Sequence, residues 1–171
     1  APEVFPLGET IVTWTATDQS GNQSTTVQNI TLVDTTNPEI QVPEQISIEA
    51  SSKHENSIIL ENAIAFDTVG ISSITNDAPE VFPLGETIVT WTATDESGNS
   101  SSTMQIILLT DTTLPIIASP VDIEIEATSR DQNIINLGIP DAIDSVGISS
   151  ITNDAPEVFP LGETIVTWTA T

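Results

Sequence analysis

Carboxylates dominate the polar chemistry of this chain. Asp and Glu together number 25 against one lysine, Lys53, and one arginine, Arg130, for a formal net charge of −23. Oxygen donors in such excess suit a hard cation, since Ca2+ takes about six to eight carboxylate, carbonyl and water oxygens. Several of the acids stand in turn-forming stretches: Asp34-Thr35-Thr36-Asn37-Pro38, Asp67-Thr68-Val69-Gly70 and Asp95-Glu96-Ser97-Gly98-Asn99. Asp and Asn also cap turns with no ion present. That simpler role accounts for any one of these residues, so what matters is whether several of them meet.

Other chemistries find little support. His54 is the only histidine, it lies in a polar Ser-Ser-Lys-His-Glu stretch, and the matching position further on is Asp131. Ser and Thr are plentiful, but a nucleophile needs a base beside it. Glu124 and Glu126 share one face of an expected strand, as chance allows in so acidic a chain. No enzymatic activity is expected. Cysteine is absent, which excludes disulfides and thiolate metal sites. An intramolecular Lys–Asn isopeptide is disfavoured because Lys53 is replaced by Arg130 in the next copy. The negative charge repels nucleic acid and anionic lipid. No apolar run approaches the roughly 18 residues that span a bilayer, and no signal peptide is present, so export has to be inferred from other features.

The elements that would position these acids are organised by repetition. Ala-Pro-Glu-Val-Phe-Pro-Leu-Gly-Glu-Thr begins at Ala1, Ala78 and Ala155, a period of 77 residues. Turn and linker signals put the domain starts at Asp34-Thr35-Thr36 and Asp111-Thr112-Thr113. The expected organisation is the C-terminal part of one domain (1–34), a complete domain (35–111) and the N-terminal part of a third (112–171), a slice of a longer array.

Within the central copy, residues 39–42, 46–51, 87–94 and 103–109 read as strands, with short apolar runs at 57–60 and 70–75 and an extended stretch at 79–84. The strand at 87–94 alternates Val89, Trp91 and Ala93 with Ile88, Thr90, Thr92 and Thr94. Trp14, Trp91 and Trp168 are one repeated position, expected in a core because a small sandwich needs a large residue at its centre. Comparing copies orients the last strand. Ile107 and Leu109 match Ile30 and Leu32, whereas Ile106 and Leu108 match Asn29 and Thr31, so the second pair should face solvent. The fold class expected is all-β: tandem immunoglobulin-like Greek-key β-sandwiches of about 77 residues per repeat.

The run from Phe82-Pro83-Leu84-Gly85-Glu86 through Asp95-Glu96-Ser97-Gly98-Asn99, then a strand and Asp111-Thr112-Thr113-Leu114-Pro115, resembles the hyalin-repeat (HYR) family. It is also similar to related immunoglobulin-like repeats of bacterial and archaeal surface proteins. Ala65-Phe66-Asp67-Thr68-Val69-Gly70 resembles a further segment of that family. The resemblance covers essentially the whole chain. Animal hyalin repeats usually carry a cysteine pair, and its absence here leans toward the prokaryotic surface relatives. The resemblance implies an extracellular or cell-surface module of adhesion and surface architecture.

In a sandwich of this topology the entering linker and two of the loops lie at one end. Glu9, Asp34, Asp67, Asp95 and Asn99 are therefore expected to converge on one interdomain Ca2+, and Glu86, Asp111 and Asp144 on the next, with its last ligands past Thr171. Asn22, Asn29 and Asn99 head N-glycosylation sequons. The expected function is a structural segment of an extracellular fibre, filament or adhesin stalk, rigidified by calcium at its junctions. Its partners are neighbouring repeats of the same chain or fibre, and identical chains laterally. The alternative is an adhesion module that binds a glycan or protein ligand. Short Asp-Thr-Thr-x-Pro linkers favour the stiff array, because Pro presets the backbone and little flexible chain remains.

Overall fold

A computed structural model describes residues 2–171. The strands are, in chain order, β1 (Gly8–Thr17), β2 (Gln23–Leu32), β3 (Glu39–Gln41), β4 (Ile46–Glu49), β5 (Ile64–Phe66) and β6 (Ile71–Asn76), then β7 (Gly85–Asp95), β8 (Ser100–Thr110), β9 (Ile116–Ile117), β10 (Ala142–Ile143), β11 (Ile151–Asn153) and β12 (Trp168–Ala170). Among the described residues there is no helix, and the chain is all-β. Two compact units divide it: residues as far as Pro43 with Glu61–Asp77 and Thr90–Met104, and Glu44–Leu60 with Ala78–Val89 and Gln105–Thr171.

In the first unit, β1 and β2 form a ten-residue antiparallel hairpin from Gly8↔Leu32 to Thr17↔Gln23. β3 pairs antiparallel with β5, Ile40 opposite Ala65. β6 pairs antiparallel with β7, with a register shift between Ile71 and Ser73. In the second unit, β4 runs parallel to β8, from Ile46↔Ile107 to Glu49↔Thr110. β9–β10 and β11–β12 are short antiparallel pairs. The largest sheet has the order β4-β8-β7-β6.

Period-2 alternation sets burial along the long strands. On β7, Val89, Trp91 and Ala93 are 0%, 3% and 0% exposed, and Asp95 at its end is also buried. On β8, Gln105, Ile107 and Leu109 face inward, whereas Ile106 is exposed and Leu108 half-buried. Burying Val89, Ile107 and Leu109 contributes about 1.5–3 kcal/mol each. The orientation read from the drift between copies is the one observed.

Two local expectations fail. The apolar run at 57–60 forms no strand, and Ile59 is exposed; instead Asn56 makes an isolated bridge to Phe82. Its side chain is bonded on both sides. Asn56 Oδ1 accepts from the Ser51 and Ser52 amides at 2.9 and 3.0 Å, and Nδ2 donates to the Ser52 and Phe82 carbonyls at 2.8 and 2.9 Å. A buried amide thus satisfies backbone groups that a strand ladder would otherwise serve. Asn133 repeats this arrangement with Ser129 and Phe159. The second failure is Trp14, expected in a core but 57% exposed, its Nε1 donating to Gln28 Oε1. Among the described residues, β1 and β2 form a sheet of two strands with no further strand beside them.

Candidate metal centre

The hairpin loop between β7 and β8 is built by one carboxylate. Asp95 Oδ1 accepts from the amides of Ser97 at 2.9 Å and Asn99 at 2.8 Å, and Oδ2 from Asn99 Nδ2 at 2.8 Å. Gly98 supplies the turn's left-handed backbone at φ 91. Burial disfavours the Asp95 carboxylate, but the bonds from Asn99, Ser97 and Gly98 outweigh it and hold the group below its usual range.

Two other turns bring carboxylates to the same place. Asp34, in the linker after β2, accepts from Thr36 N through Oδ1 at 3.1 Å. Asp67, after β5, accepts from Val69 N at 2.7 Å and Gly70 N at 3.2 Å through Oδ1. Carboxylate oxygens of Asp34, Asp67 and Asp95 all lie within 4.8 Å of one another. They are the one group of three or more metal-ligating side chains of this kind among the described residues. Each acid does cap a turn, and in each the turn amides take Oδ1. Asp34 Oδ2 is left buried with no hydrogen-bond partner. Three like charges this close repel, and an orphaned buried oxygen is costly. A cation would relieve both.

The remaining expected residues fall differently. Asn99 joins the group as a donor, its Nδ2 reaching Asp95 Oδ2 and, at 3.3 Å, the Asp34 carbonyl. Glu9 is exposed on β1 opposite Thr31 and is not a member of the group. At the following junction Glu86 and Asp111 are exposed, and Asp111 Oδ1 accepts from Thr113 N. Asp144 repeats the turn of Asp67, bonding Val146 N and Gly147 N, and its Oδ2 is likewise buried without a partner. Of the sequon residues, Asn29 is exposed on β2, whereas the Nδ2 atoms of Asn22 and Asn99 already bond Asp18 and Asp95.

Sequence reasoning missed Glu49. It ends β4, and both of its oxygens accept hydrogen bonds from Thr112 and Thr113. Those bonds, the Thr112 amide first, pull its pKa down to about 2. The one available signal was its recurrence as Glu126 in the Ile-Glu-Ala stretch of the next copy.

Comparison with known proteins gives the family of the chain. The HYR domain matches residues 33–107, which include all three clustered aspartates. Hyalin of Lytechinus variegatus is 36% identical over 183 aligned residues, covering 98% of this chain. The chain belongs to the hyalin-repeat (HYR) family. It spans 34% of that hyalin and 15% of the hyalin of Strongylocentrotus purpuratus, also 36% identical. A rat protein described as sushi, von Willebrand factor type A, EGF and pentraxin domain-containing protein 1 is 38% identical over 105 residues, 58% of the HYR chain and 3% of its own length. The missing cysteine pair leaned toward prokaryotic surface relatives, whereas these matches are animal proteins. No helix among the described residues is long and apolar enough to cross a membrane.

Proposed function

We propose that the chain is a non-enzymatic structural segment of an extracellular fibre, filament or adhesin stalk, stiffened where repeats meet by Ca2+. The observation that carries this reading is the approach of Asp34, Asp67 and Asp95 to within 4.8 Å of one another, in a linker and two loops. Asp34 belongs to the chain entering the central copy, and Asp67 and Asp95 to the copy itself. An ion shared by them ties the linker to the domain and cancels their repulsion, reducing bending at that point. The three acids supply charge, and carbonyl and water oxygens complete the six to eight ligands that Ca2+ takes. The matches to hyalins, which are several times longer than this chain, support an array of such units.

The test is a Ca2+ titration of the whole chain, read by calorimetry and by thermal melting against chelator. Binding with a rise in melting temperature of several degrees is expected at Ca2+ well above Kd. Loss of both in Asp67→Asn is expected as well. A melting temperature and heat unaltered by Ca2+ would overturn the stiffening mechanism and leave the array.

A further inference from the structure

β4 and β8 run parallel, so their C-terminal ends lie side by side. Glu49 stands opposite Thr110, and Ala50 N closes the ladder by donating to Thr110 O at 2.8 Å. The chain leaves β8 there, through Asp111-Thr112-Thr113. At that exit the Glu49 carboxylate collects four hydrogen bonds. Oε1 accepts from the amides of Thr112 at 2.7 Å and Thr113 at 3.1 Å, and from Thr113 Oγ1 at 2.8 Å; Oε2 accepts from Thr112 Oγ1 at 2.9 Å.

A carboxylate holding two consecutive amides fixes the backbone between them as an Asx turn does, but from a strand distant in sequence. Both hydroxyls reach the same carboxylate, so the Thr-Thr pair supplies two of its four bonds from side chains. Glu49 and these threonines lie within the second compact unit. We propose that Glu49 is a positioning residue that sets the direction in which the chain leaves this copy, an ion-independent clamp at the start of the inter-repeat linker. It rests on the reading of the chain as a stiff array. The clamp lies where the chain leaves a copy, and the aspartate group lies where it enters one. The low pKa of Glu49 follows from the same bonds. Glu126 stands in the same Ile-Glu-Ala context in the next copy.

The chain has no cysteine, so spin labels can be attached at two introduced positions in the full chain. Ile88→Cys and Ile139→Cys use exposed sites on either side of the linker. Distance distributions are recorded in chelator and in Ca2+, with and without Glu49→Gln or the pair Thr112→Val/Thr113→Val. The expected result is a narrow wild-type distribution in chelator whose narrow peak is lost in both variants. Both variants should still unfold in one cooperative transition well above the temperature of the measurement, so a lost peak reports positioning rather than unfolding. A variant distribution as narrow as wild type overturns the clamp and leaves the array reading standing. A wild type already broad in both chelator and Ca2+ overturns the stiff array, and the clamp with it.

Discussion

Asp18–Asn22 and Asp95–Asn99 are the same hairpin loop in two settings. Asp18 Oδ1 takes the amides of Ser20 and Asn22 at 2.8 Å, and Oδ2 takes Asn22 Nδ2 at 2.8 Å, matching the bonds of Asp95. Gly21 and Gly98 adopt φ 87 and 91. Five residues therefore build this loop without help from elsewhere. Yet Asp18 is exposed, while Asp95 is 1% exposed and belongs to a three-carboxylate group. The strands behave alike: Trp14 on β1 lies in the open and Trp91 on β7 in the core. Local sequence makes the turn; the rest of the domain buries it and brings two more carboxylates beside it.

The comparison is broken most directly at the tryptophans. Trp91→Ala should cost about 3–5 kcal/mol, as loss of a buried aromatic does, whereas Trp14→Ala should cost well under ~1 kcal/mol, within the ordinary range for exposed positions. Denaturant unfolding of the two variants decides it, and equal losses would mean that Trp14 is buried in solution. Next in size is the response to Ca2+. Asp95→Asn should abolish the Ca2+-dependent rise in melting temperature and Asp18→Asn should leave it intact, because only Asp95 has Asp34 and Asp67 beside it.

Glycine substitution sharpens the other half of the comparison. A Cβ on Gly21 or Gly98 meets nothing within 4 Å, so the cost in each is backbone strain alone. Gly21→Ala and Gly98→Ala should each cost about 1 kcal/mol, seen as loss of amide-exchange protection in their own hairpins. A much larger loss at Gly98 would show that the turn is not self-sufficient.

The smallest effect is in titration. Asp18 is held below its usual 3.8 chiefly by the bond from the Asn22 side chain, and Asp95 is held below it despite burial. Because both folded values are depressed, the stabilisation they bring is present above the unfolded value and is lost as pH falls through the folded one. Carboxyl-carbon NMR in chelator should give both midpoints below 3.8, and Asn99→Ala should raise that of Asp95 alone.

Much of the fold was legible because it is periodic. Alternation along 87–94 anticipated β7, and the Ile106/Asn29 and Leu108/Thr31 substitutions revealed which face of β8 meets water. β5 was not read as a strand, since Ile64-Ala65-Phe66 is too short for alternation to show. The apolar run at 57–60 misled: it forms no strand, and Ile59 is exposed. Asp34, Asp67 and Asp95 were each legible as turn residues and as candidate ligands, yet Glu9 carried the same credentials and lies exposed on β1.

By itself, the sequence determined the 77-residue repeat, the all-β character and the form of each turn. These depend on interactions within a strand or a five-residue loop, where spacing along the chain is also spacing in space. Tertiary structure alone decided that Trp91 is buried and Trp14 is not, that three of the expected acids meet, and that Glu49 reaches Thr112 and Thr113. Burial and convergence depend on which strands lie side by side, and the parallel pairing of β4 with β8 joins residues about sixty positions apart. No local pattern records that pairing.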